Sequence, residues 1–89
     1  MPVGHSYSVP SERLYLAVLT EEAAAAKIPL ARVLSRCQRW KVARVRQRAW
    51  VRLREAGYGP AGIGRRAGYH YSTVIHAFES VDRREGASR

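Results

Sequence analysis

No internal disulfide can staple this chain, because Cys37 is its only cysteine, and for the same reason no multi-cysteine metal site exists. No apolar run approaches the ~20 residues that a bilayer-spanning helix needs. The opening stretch MPVGHSYSVP has no apolar core preceded by Lys or Arg, so it does not read as a signal peptide. A cytoplasmic chain is therefore expected, with no membrane partner. Alternation of polar and apolar residues never persists long enough for a strand, and there are no repeats or low-complexity tracts. His5, His70, His76 and Cys37 include no pair at ligand spacing, so no metal is expected. No Ser-His-Asp or Cys-His arrangement is recognisable, and no Gly-rich loop ends in Lys-Ser or Lys-Thr. The expectation is a protein that is not an enzyme, with no cofactor and no small-molecule substrate.

Acid is scarce, and its placement matters more than its amount. Seven Asp and Glu stand against sixteen Lys and Arg, a net charge of +9. Between Arg32 and Arg54 there are nine basic residues and no acid. Glu12, Glu21 and Glu22 lie upstream, and Glu79, Asp82 and Glu85 downstream. Such segregation builds one polyanion-facing side and a neutralised back. With 46% hydrophobic residues the chain can fold, so it is not a disordered basic tail. Its 89 residues allow one domain with one modest core.

What is present reads as five helices. Residues 1–10 form an extended, flexible lead. Ser11 is a plausible N-cap with Glu12 in the first turn, and Leu14, Tyr15, Val18 and Leu19 give one apolar stripe. Pro29 ends that helix, because the residue before a proline is pushed out of the α region, and opens a second helix to about Arg36. That helix offers Leu30, Val33 and Leu34 to the core. A basic break, Cys37 to Lys41, precedes a long third helix, Val42 to Ala56, stopped by Gly57. Val42, Val45, Ala49, Leu53 and Ala56 share one face and Trp50 flanks it. Arg44, Arg48 and Arg52 repeat at i, i+4 on another, where like charges repel unless an anion offsets them.

Gly57-Tyr58-Gly59-Pro60 turns into a fourth helix, Pro60 to Ala67, with Ile63 and Ala67 inward. Gly68 stops it. A fifth helix runs from about Ser72 to Arg83, with Val74, Ile75, Phe78 and Val81 buried, and residues 84–89 form a frayed tail. Two short helices joined by a few residues with a Gly at the corner are the pattern of a helix-turn-helix. In that motif the start of the second helix meets DNA base edges in the major groove. The fold expected is all-α, a compact five-helix domain over residues 11–83 that contains a helix-turn-helix.

The segment LSRCQRWKVARVRQRAW, followed by IGRRAGYHYSTVIHA, resembles the C-terminal DNA-binding domain of the bacterial replication initiator DnaA. Ala43, Arg44, Val45, Arg46 and Gln47 match the start of that family's long helix. Ile63, Gly64, Ser72, Thr73, Val74, Ile75, His76 and Ala77 match its second signature. Where the family has Arg-Asp-His, this chain has Tyr69-His70-Tyr71, with one residue fewer in the turn. The family's ATPase module and its helix after the recognition helix have no counterpart here, so a free-standing binding module is expected.

The resemblance implies sequence-specific binding of double-stranded DNA at the nucleoid, in transcription regulation or modulation of DNA replication. It places Arg46 and Gln47 near the backbone or a base edge, and Ser72, Thr73 and His76 in the major groove. Tyr69, His70 and Tyr71 stand where base specificity would change. Arg36, Arg39 and Lys41 form the basic loop at the place from which the family reaches a minor groove, and Arg44 joins them at the start of the long helix, so residues 36–47 are expected on backbone and minor groove. Trp40 either stacks on a sugar or anchors the loop. The alternative is a protein-interaction module that docks on replication or transcription machinery through its basic face. RNA binding is less favoured, since no sheet offers aromatic residues to stack bases.

Overall fold

The computed structural model describes residues 8–87, and the described chain is all-α. Its helices are α1 (Glu12–Ala26), α2 (Leu30–Leu34), α3 (Trp40–Glu55), α4 (Pro60–Ala67) and α5 (Tyr71–Ala87). The reason for the first boundary is the expected one. Ser11 accepts a hydrogen bond from the Leu14 N–H at 3.1 Å, which satisfies an otherwise orphaned donor. The helix ends before Pro29, at Lys27, which adopts a left-handed φ of 60° while the Ile28 N–H reaches back to the Ala23 carbonyl at 2.9 Å.

α2 is shorter than expected, because Ser35 leaves the helix in an extended conformation. Its hydroxyl donates to the Arg32 carbonyl at 2.6 Å and accepts from the Cys37 N–H at 3.2 Å, which holds the chain out of the helix. Val33 is buried, but Leu34 is 50% exposed and does not join the core. Ala56 is also exposed, since α3 stops at Glu55 and Gly57 turns the chain at φ 107°.

α3 is the hub, in contact with each of the other four helices. Val42, Val45, Ala49, Trp50 and Leu53 form its buried face. Leu53 and Ile63 have no exposed surface, and burial of each stabilises the fold by about 1.5–3 kcal/mol. Trp50 lies inside the core. Its indole N–H donates to the Tyr15 hydroxyl at 3.2 Å, and the Tyr69 ring meets it edge-on at 5.2 Å. Burial pushes the Tyr15 phenol above its ordinary pKa, partly offset by that hydrogen bond.

The two ends differ from expectation where the structure describes them. Pro10 is buried and its carbonyl accepts from Arg66 Nε at 2.8 Å, so residues 8–10 pack on the domain. The rest of the expected lead, residues 1–7 with His5, lies outside the described residues, as do Ser88 and Arg89. α5 continues to Ala87 instead of fraying after Arg83, and Arg84 donates to the Gln47 side chain at 3.2 Å.

Candidate nucleic-acid interface

The corner between α4 and α5 consists of Gly68, Tyr69 and His70. Gly68 holds a left-handed φ of 79°, where a side chain would be strained. The N–H groups of Gly68 and Tyr69 both return to the Gly64 carbonyl, at 2.8 and 2.9 Å. This end closes tightly on Gly64, where an added Cβ would lie 2.6 Å from the Tyr69 carbonyl oxygen. Gly64→Ala therefore costs about 1–3 kcal/mol and displaces the turn.

His70 starts α5. The Ser72 N–H donates to its Nδ1 at 3.2 Å, and the Ser72 hydroxyl lies 2.7 Å from the same nitrogen. A ring nitrogen that accepts carries no proton, so the imidazole proton sits on Nε2. The exposed ring also leans on Tyr71, centroids 4.6 Å apart, and Tyr71 is itself 51% exposed. Ser72, expected in the major groove, is half-buried and its hydroxyl is engaged with His70.

Beyond the turn, α3 and α5 form the walls of a cleft. Gln47, Thr73 and His76, chosen from the sequence, come together there. Gln38 and Ser80 join them and were not chosen. Ser80 was within reach of periodicity, because Thr73, His76 and Ser80 follow one helical face; Gln38 carried no such signal. His76 Nδ1 lies 3.6 Å from Glu79, one turn on, and its side chain is well exposed. Amide, hydroxyl and imidazole groups in one cleft are the hydrogen-bonding types that read base edges.

Two of the expected contact residues turn inward. Arg46 is only 5% exposed, and its guanidinium donates to the carbonyls of Val33, Ser35 and Cys37 at 2.9–3.3 Å. It ties the α2–α3 connection to the core, and the expectation that it contacts DNA is corrected. Tyr69 is likewise a packing residue. Its ring meets Trp50, lies under the Arg36 and Arg46 guanidinium groups at 4.4 and 5.5 Å, and its hydroxyl is buried without a partner. Arg36 donates to the Gly68 carbonyl at 2.7 Å, so it braces the turn.

The remaining cations divide by position. Arg39, Lys41 and Arg44 surround Trp40, which is 62% exposed with Arg44 and Lys41 at 5.4 and 5.7 Å from its ring. Arg52 pairs with Glu21 at 2.7 Å and Glu22 at 3.2 Å, and Arg54 with Asp82 at 3.3 Å. The anion-facing stripe expected of Arg44, Arg48 and Arg52 thus loses its last member to α1. Arg84 shows the field around the others: burial, then the nearby charges of Arg44 and Arg48, push its pKa below the ordinary value.

Among the described residues no helix is long and apolar enough to cross a membrane, and no group of three or more His, Cys, Asp or Glu is placed to hold a metal. No protein-family model, curated protein or solved structure matches the chain.

Proposed function

We propose that the chain binds double-stranded DNA site-specifically, with the start of α5 in the major groove and the start of α3 on the backbone. One observation carries this reading. A cleft of base-reading side chains, Gln47, Thr73 and His76, opens between α3 and α5, and α3 carries Arg44 and Arg48 in a stretch of sequence, Arg32 to Arg54, that has no acid. Thr73 and His76 supply base contacts, and Arg39, Lys41, Arg44 and Arg48 hold phosphates. The likeness of Ile63-Gly64 and Ser72 to Ala77 to the replication-initiator domain supports the same pose. On that likeness the role is transcription regulation or modulation of replication.

Selection of bound sequences from random duplex DNA is the test. Enrichment of one motif is the expected result, with affinity falling at a log-log salt slope of about −4, from four phosphate contacts at ~0.9 each. Thr73→Ala weakens the selected site by ~1–3 kcal/mol and leaves random duplex nearly unchanged. No enriched motif, or affinity indifferent to salt, overturns the reading.

A further inference from the structure

Trp40 is unusual in leaving most of its ring in solvent at the first turn of a hub helix. A Trp used only for packing buries 150–250 Å² or thereabouts, so this exposure forfeits much of what the residue type can contribute. It stands over a cleft of about 420 Å³ at the junction of α1, α2 and α3, with an apolar lining from Ile28, Pro29 and Val42. Lys27, Arg32, Arg39 and Lys41 line the same cleft, and no acid does. None of these four cations takes part in the ion pairs that Arg52, Arg54 and His76 make. An indole wall, an apolar floor and four cations suit a ligand that is flat, apolar on its faces and anionic along one edge.

We infer that this cleft is a second nucleic-acid site, which takes an unpaired nucleotide of single-stranded DNA with its base on Trp40 and its phosphates among Lys27, Arg32, Arg39 and Lys41. Stacking on an aromatic ring beside a cationic track is the general way that unpaired strands are held. Every base has a π-face, so the site binds without sequence preference. The cleft extends the duplex reading and shares only Arg39 and Lys41 with it; Thr73 and His76, which line the α3–α5 cleft, are not among its lining residues. A duplex cannot present a free base face here, whereas a frayed end, a gap or a melted stretch can.

The test uses a ten-residue oligothymidylate and the full chain. Because Trp50 is 2% exposed, quenching of indole emission on titration reports Trp40. Expected are strong quenching and, with a labelled oligonucleotide in anisotropy, a roughly tenfold loss of affinity in Trp40→Ala but under threefold in Trp40→Phe. Thr73→Ala leaves oligothymidylate binding unchanged. Circular dichroism checks that the variants fold, and Lys27→Glu with Arg32→Glu gives a second, independent loss. Unaltered binding by Trp40→Ala, equal displacement by a ten-residue polyglutamate, or parallel loss in Thr73→Ala overturns the site. An acidic peptide that binds in preference would assign the cleft to a protein partner. If wild type binds oligothymidylate with quenching but no duplex, the duplex proposal falls and this one stands.

Discussion

Divided after Arg48, α3 carries three arginines in its first half and two in its second, and uses them in opposite ways. In the second half Arg52 and Arg54 reach across to Glu21, Glu22 and Asp82, and tie α3 to α1 and α5. In the first half Arg44 and Arg48 stand one turn apart, where like charges repel, and after burial they are the next causes that lower the pKa of Arg84. The second half pairs its charge with acids within the chain; among the described residues Arg44 and Arg48 in the first form no such ion pair, although Glu22 lines the cleft they share. Repulsion opposes folding, and the duplex proposed as partner would offset it. Counting cations along the helix hides this difference; their partners reveal it.

Arg46 is the hardest test of that division, because it lies in the first half and yet is spent inside. Removing it strands the Val33 carbonyl in a buried setting and those of Ser35 and Cys37 in part-buried ones. Arg46→Ala is expected to cost about 2–4 kcal/mol of stability, the penalty for leaving such groups without donors. Urea unfolding measures it. A loss below ~0.5 kcal/mol would show that the guanidinium is free to face a ligand after all.

The two halves then separate in a binding assay. Arg44→Ala combined with Arg48→Ala is expected to flatten the log-log salt slope of duplex binding by about 2, at ~0.9 per phosphate contact. Arg52→Ala combined with Arg54→Ala leaves that slope unchanged and lowers stability by roughly 0.2–1 kcal/mol per pair, the range for exposed ion pairs. Equal slopes in the two double variants would erase the distinction between the halves.

Much of this was legible in the residues, and the limits are physical. Caps and breakers marked the helices because they act locally: Ser11, Pro60, Gly57 and Gly68 each do what their backbone chemistry requires. Apolar spacing found Val42, Val45, Ala49 and Leu53 for the same reason. What local chemistry cannot show is where a long side chain ends. Arg46 and Arg44 are two residues apart in one basic run, and only the return of residues 33–37 over Arg46 makes it a core residue. Leu34 failed in the reverse sense, since Ser35 ends α2 before Leu34 can turn inward. The resemblance puts Tyr69 among the residues of the turn that would contact DNA, but Trp50 and Arg36 enclose it.

The smallest effect asks whether the first half of α3 merely anchors DNA that another residue reads. His70 caps α5 with Nδ1, which leaves Nε2–H as its outward polar group. A donor held outward favours an acceptor on the facing base, such as a purine N7, guanine O6 or thymine O4, and disfavours an amino group. Aspartate at this position is an equally good N-cap, so one carboxylate oxygen can take the Ser72 N–H while the other faces outward. His70→Asp therefore keeps the cap and inverts the polarity. Unfolding free energy is expected to move by less than ~0.5 kcal/mol, while the base preferred opposite residue 70 shifts towards cytosine or adenine. The change in ranking is that of one exposed hydrogen bond, about 0.5–1 kcal/mol. Competition among four duplexes that differ at that one pair, at fixed salt, measures the ranking free of any uniform loss from the added negative charge. A ranking identical in both proteins would confine His70 to capping and leave base choice to Gln47, Thr73 and His76.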